Sequence, residues 1–401
     1  MRPAAITDVG PPAHVAAALT GVRPPVCAYV YDTAALRARA ATIKAALPAG
    51  VEVLYAVKAN GHPAVVAALA DSLDGLEVAS GGELELARAA LRRAHARGRR
   101  IVFSGPAKTD AELSAAADAG ALVHVESAHE LRRLALIALG AGVPVALRVN
   151  RAGAMLSGSH RMSGEATPFG TDECDLAELV ALARSLPSVD LLGFHLHAVS
   201  NNLDAAAHAD FVATSARWAV AVAARHGVNL RYVNVGGGLG VDPTGAVSFD
   251  VAVLARGVAE ARSAMPPDVR LVLEPGRFLA AEAGWYAAEV LDLKQTHGRW
   301  FAVLRGGTHH FRLPAAWGYS HPFTVLPIER WPYRFPRPEV RDVAVDAVGE
   351  LCTPRDVLTR GQTVERLRIG DVLVFARAGA YGWDISHHEF LRHPRPEMLV
   401  L

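Results

Sequence analysis

The sequence predicts an α/β protein: a (β/α)8 TIM barrel plus a C-terminal, mainly β domain. Two observations carry this. Eight short apolar runs occur in order, at Val53–Val57, Leu76–Ala79, Ile101–Phe103, Leu122–Val125, Val145–Val149, Leu191–Leu196, Tyr232–Val235 and Leu271–Leu273. Ala/Leu/Arg-rich stretches separate nearly all of them, the pattern of parallel strands joined by crossover helices. Beyond Glu274 the rhythm changes to short runs at Ala287–Val290, Trp300–Leu304, Asp342–Val348, Val372–Phe375 and Met398–Leu401, divided by Gly and Pro turns. Helical periodicity is poor between Pro314 and Pro338. The expected bounds are 30–268 for the barrel, with 1–29 and 269–401 forming the β domain.

Taken in order, residues 1–25 are rich in Pro, Gly and Ala and hold one short helix candidate, His14–Leu19. Val26–Tyr31 reads as a strand and Thr33–Leu47 as an amphipathic helix. The run that begins at Val53 ends on Lys58 and meets a turn signal, Asn60 followed by Gly61, before Pro63 opens a helix. The connection from Arg151 to Asp175 is longer and more polar than the others, which fits either a mobile active-site loop or a surface excursion.

At 401 residues, 51% hydrophobic and 20% charged, the chain can bury a large core. A net charge of +1 gives no electrostatic reason to expect nucleic acid or an anionic membrane. The three cysteines, Cys27, Cys174 and Cys352, lie far apart without CxxC spacing, against a disulfide framework or a structural zinc. Met1 to Gly21 shows no basic stretch followed by an apolar core, and no apolar run reaches the ~20 residues of a membrane helix. A cytoplasmic protein acting on a small molecule is expected.

The strand ends deliver, in order, Lys58, Glu77 with Ser80, Ser104, Glu126, Arg148 with Asn150, His195 with His197, Gly236 to Gly238, and Glu274. Barrel active sites are built at that C-terminal rim, so an enzyme is expected. Lys58 has few rivals, Lys44, Lys108 and Lys294 being the other lysines. A desolvated lysine can lose its proton and act as a Schiff-base amine; alternatively its head stays in water. The glycines after strand seven can surround a phosphate with backbone N–H groups, or simply turn the chain. Glu274 can be a general base, a metal ligand or the partner of a cationic heterocycle, or it can pair locally with Arg277. His195 and His197 share a strand face; they fit a metal pair, a ring stacked on an aromatic cofactor, or inert core. On composition alone Cys352 is a small hydrophobe.

Together, YAVKAN at 55–60, EVASGGELE at 77–85, FHLHAVS at 194–200, VGGGLG at 235–240, EPGRF at 274–278, LCTPRDVL at 351–358 and GAYG at 379–382 resemble the fold-type III PLP-dependent decarboxylases. That family includes the ornithine/arginine and diaminopimelate decarboxylases, and the resemblance runs in order along nearly the whole chain. It implies an alanine-racemase-like barrel, pyridoxal 5'-phosphate as cofactor and a homodimer with shared active sites. By motif, Lys58 resembles the Schiff-base lysine and His197 the ring-stacking histidine. Ser200, Gly237, Gly238, Gly276, Arg277 and Tyr381 resemble phosphate contacts, and Glu274 the carboxylate facing the pyridine nitrogen. Cys352 resembles the catalytic cysteine that serves the neighbouring subunit's site. No metal is expected.

The chain departs from the basic amino-acid enzymes at the substrate end. Thr353, Pro354 and Arg355 follow the cysteine where those enzymes place an acidic residue, and the segment 305–314 is cationic or neutral. These segments, with 379–394, resemble the siderophore-biosynthesis branch acting on citryl-amino-acid conjugates such as citryl-diaminopropionate or citryl-serine. His309, His310, Arg312, Thr353 and Arg355 are the expected substrate contacts. Diaminopimelate decarboxylase is the nearest alternative; a metal-dependent barrel hydrolase and a non-catalytic homologue are the others.

Overall fold

The computed structural model describes residues 10–93, 98–138, 140, 142–153 and 156–401. Residues 1–9 of the N-terminal segment and Met155 of the long connection lie outside them. The described chain divides into two compact units: residues 36–241 with 248–279, and the remainder.

The first unit is the closed parallel barrel. Its strands are Val51–Ala56, Gly75–Val78, Arg100–Phe103, Leu122–Val125, Val143–Asn150, Val189–His195, Tyr232–Asn234 and Arg270–Leu273. Each pairs with its neighbour in sequence, and Leu273 opposite Val53 closes the ring. The barrel therefore runs past the expected limit at residue 268, because Leu271, Val272 and Leu273 fill the last place in the sheet. Leu54, Val102, Leu122, Ala146, Tyr232 and Val272 pack into one buried cluster, so the interior is solid. Helix starts follow local chemistry. Thr109 and Glu112 form a reciprocal capping box, and Asp204 and Asp250 cap the helices Ala205–His226 and Val251–Ser263. The long connection is tied down: His160 and Arg161 pair with Ser200 and Val199, and Thr171–Asp172 extends beside Asn150.

The second unit is built on an eight-stranded sheet. The strand Cys27–Tyr31 lies antiparallel to Gly284–Thr296 and parallel to Glu397–Val400, so sequence-distant segments share one sheet. Val15, Leu19 and Val22 pack on its apolar face with Val26, Trp285 and Val374. The strand Val357–Arg368 has no counterpart in the apolar runs, since Arg360, Glu365 and Arg366 interrupt it; pairing with Glu339–Val348 holds it extended.

Candidate active site

The first barrel strand ends at Ala56, and a one-turn 3-10 helix, Val57–Ala59, sets Lys58 on the rim. The Lys58 side chain is 43% exposed, and Nζ lies 3.0 Å from both oxygens of the fully buried Glu77 carboxylate on the second strand. Burial raises the Glu77 carboxyl from its usual range, and Lys58 opposes that shift.

Glu274 directly follows the eighth strand and is 5% exposed. Asn234 Nδ2 donates to its Oε1 at 2.5 Å, and His195 Nε2 lies 3.5 Å from its Oε2. Burial also pushes this carboxyl up, partly offset by Lys58. A buried carboxylate of this kind is stabilised by a cation placed against it.

Two glycines let the surrounding turns meet. A Cβ on Gly237 would stand 2.2 Å from the Glu274 carbonyl oxygen, and one on Gly276 would stand 2.8 Å from Ala59 Cβ. The turns after strands seven and eight thus close on each other and on the lysine turn without side chains between them. Gly237 N–H donates to His197 Nδ1 at 3.3 Å, and the His197 ring lies within 9° of parallel to that of His195. Burial, reinforced by Lys58 and Arg148, holds His197 well below the ordinary histidine range, so the ring is neutral. Ser200 sits in the short ladder with His160, and Arg277, mostly buried, begins the helix Arg277–Ala280. Arg148 is paired with Glu126 at 2.6 Å and lies over the Phe169 ring.

The two histidines of the HxH motif do not converge on a common point. Among the described residues, the donors that approach within 4.8 Å of one another are His124, His195 and Glu274. Both ring nitrogens of His124 are engaged, by Ser104 and Tyr232, and Asn234 occupies Glu274 Oε1. These contacts build a buried hydrogen-bonded network around His124 and Glu274.

In the second unit, Cys352 is exposed on the loop between Val348 and Val357. The buried Asp356 holds that loop, accepting the Leu351 N–H at 2.9 Å and the Thr308 N–H at 2.6 Å. A cavity of about 1060 Å³ opens beside it, lined by Arg312, Thr353, Arg355, Arg360 and His387, with no carboxylate among its described lining residues. Three of the five expected substrate residues are there. His309 and His310 are not, being 0% and 1% exposed. His310 Nδ1 lies 3.3 Å from Cys27 Sγ, and burial lowers the two imidazoles to about 4 and about 2. Buried neutral rings cannot meet substrate carboxylates, so packing replaces the expected role. Tyr381 is half-buried, with φ 54° and its ring 6.5 Å from Trp317.

The pyridoxal-binding domain of the pyridoxal-dependent decarboxylases matches residues 33–281, more than half of the chain. The chain belongs to the pyridoxal-dependent decarboxylases. Among its relatives is 2-[(L-alanin-3-ylcarbamoyl)methyl]-2-hydroxybutanedioate decarboxylase of Staphylococcus aureus, 40% identical over 94% of both chains. The diaminopimelate decarboxylase of Aquifex aeolicus is 30% identical over 93% of this chain and 86% of its own. The structure of diaminopimelate decarboxylase from M. jannaschii with L-lysine superposes with a TM-score of 0.84 at 25% identity, covering 96% of this chain and 89% of that one.

The enzyme is therefore a decarboxylase that uses pyridoxal phosphate. Its barrel mouth fits that group: an amine on the rim, a buried carboxylate suited to a cation, a neutral flat ring, and turns free of side chains. Sequence reasoning did not assign functional parts to Glu77, Asp356 or Arg360. Glu77 left a trace as a carboxylate inside an apolar run; Arg360 left none, because its strand was not legible.

Proposed function

We propose that this enzyme decarboxylates an amino acid whose far end is a citrate unit joined through an amide, as used in siderophore assembly. The name of the S. aureus relative describes such a compound: a 2-hydroxybutanedioate whose carbamoylmethyl arm ends on carbon 3 of alanine. The observation that carries the reading is the charge of the cavity beside Cys352. Arg312, Arg355 and Arg360 line it without a carboxylate among the described lining residues, a setting for anionic groups that leaves a second ammonium unpaired. Diaminopimelate, with a carboxylate and an ammonium at its far end, is the second reading, favoured by the A. aeolicus relative.

Lys58 would hold the cofactor covalently, and His197 would lie flat against its ring. Glu274 would face the ring nitrogen as an anion. Ser200, Gly237, Gly238, Gly276 and Arg277 would hold the phosphate, with the role of Tyr381 resting on its motif. Bound pyridoxal phosphate supplies an electron sink for the pair left on Cα when carbon dioxide departs. The residues would set the rest: they would hold the substrate's Cα–carboxylate bond in place for cleavage, and Cys352 or Lys58 would return a proton to Cα. We further propose a homodimer in which the exposed Cys352 loop serves the other copy. The free thiols at Cys27, Cys174 and Cys352 suit a reducing, cytoplasmic compartment.

The first experiment is the absorbance spectrum of the purified enzyme before and after borohydride, with mass mapping of the reduced residue. A band near ~420 nm with label on Lys58 supports the cofactor assignments; label elsewhere refutes them. A panel of citryl conjugates, diaminopimelate, ornithine and lysine follows. Equal turnover of a conjugate and a free diamino acid would sink the substrate reading.

A further inference from the structure

Behind the barrel mouth lies a buried polar chain that the roles above do not use. Asn234 Oδ1 accepts the Gly236 N–H at 2.8 Å, which fixes the orientation of the amide. Its Nδ2 therefore carries both hydrogens, one donated to Glu274 Oε1 at 2.5 Å and one to Tyr232 Oη at 2.7 Å. Having accepted that hydrogen, the Tyr232 hydroxyl donates its own to His124 Nε2, 3.2 Å away. His124 must then be protonated on Nδ1, which donates to Ser104 Oγ at 2.8 Å. Burial raises the Glu77 carboxyl, and Ser104 is among the groups that oppose that rise. The hydrogens thus run outward from Asn234, to Glu274 on one side and to Ser104 on the other.

Three strands, the third, fourth and seventh, bring these residues together, and Ser104, His124, Tyr232 and Asn234 are all buried. Core packing alone is met in the same barrel by Leu54, Val102 and Val272, and polar groups at such depth are tolerated only when each finds its partner. Here all four do, and the chain ends on the carboxylate assigned above to the ring nitrogen. His195 reinforces the arrangement, stacked on His124 with centroids 3.9 Å apart and 3.5 Å from Glu274 Oε2.

We propose that His124, acting through Tyr232 and Asn234, is a positioning residue for Glu274. As a neutral ring protonated on Nδ1, it accepts from Tyr232 and so holds the Asn234 amide that keeps Glu274 in the accepting, ionised form. The inference rests on the assignment of Glu274 given above and adds to it the residues that hold its hydrogen-bond donor.

The test uses Tyr232→Phe, which deletes one oxygen, His124→Phe, which keeps a flat ring, and His124→Gln, whose amide can still accept from Tyr232 and donate to Ser104. For Tyr232→Phe and His124→Phe, kcat should fall about tenfold with KM changed less than about threefold. The ~420 nm band of the bound cofactor should lose intensity to shorter wavelengths. His124→Gln should recover most of the loss. Independently of cofactor, 15N NMR of histidine-labelled apoprotein should show His124 as the Nδ1-protonated tautomer in wild type, and lose that signature in Tyr232→Phe. Folded Phe variants with wild-type kcat and spectrum would overturn the inference while leaving the Lys58 label intact. An Nε2-protonated His124 would overturn it as well. A wild-type protein without label on Lys58 would instead overturn the underlying assignment, and the NMR result would then decide the relay by itself.

Discussion

Replacing Gly276 with alanine isolates the contact on which the lysine's position depends. The new methyl would stand 2.8 Å from Ala59 Cβ and 3.2 Å from both Ala56 Cβ and the Ala56 carbonyl oxygen. Carbon atoms rest at about 3.5–4.0 Å, so the strand-eight turn and the Val57–Ala59 turn must separate by roughly 0.7–1.2 Å. Overpacking of that size costs about 1–3 kcal/mol of stability, and each kcal/mol lowers Tm by roughly 2–4 °C in a domain of this size. The larger effect should be catalytic. Lys58 is the middle residue of the displaced turn, and a misplacement of about 1 Å near reacting groups can cost ~100-fold in rate. We expect kcat to fall about 100-fold in Gly276→Ala, measured by carbon dioxide release at saturating substrate and cofactor. Adding Ala59→Gly removes the methyl in the way and should restore most of the rate, giving a strong coupling in the double-mutant cycle. A Gly276→Ala enzyme with near-wild-type kcat and Tm, or a double variant no better than the single one, would refute the packing argument.

Arg312→Ala and Arg355→Ala should each raise KM for a citryl conjugate about 10- to 100-fold, the worth of one charge-assisted hydrogen bond, while any turnover of ornithine, which has no distal carboxylate, is little affected; steady-state kinetics on both substrates checks this. Mixing a Lys58→Ala subunit with a Cys352→Ala subunit should recover up to about a quarter of wild-type activity, since half of the random dimers carry one intact shared site; no recovery beyond the parent variants would argue against sharing. Burial lowers His208 and His321 to about 4. Their contribution to stability is present above the unfolded value near ~6.5 and fades as pH falls towards 4, by roughly 2 kcal/mol each at pH 5. Tm should therefore drop between pH 7 and pH 5, and a flat profile would contradict the neutral burial of these rings.

The sequence by itself determined the barrel, because strand and crossover helix are local properties written in apolar runs such as 122–125 and 232–235. It also determined which rim residues could carry chemistry, since a strand that ends on Lys58 or Glu274 places that residue at the rim whatever lies around it. Tertiary structure decided what those side chains meet. His124 and Tyr232 look like ordinary members of apolar runs, and only closure of the barrel brings His124 to Tyr232. His309 and His310 look like accessible cations in a polar segment, and burial, with His310 set against Cys27 and Tyr29, makes them a neutral interior. Arg360 entered the anionic-group cavity through a strand whose charges concealed it, held extended by its partner 339–348. Residue identity and spacing set what each position can do chemically; burial and pairing, which depend on residues distant in sequence, set which of those capacities is used.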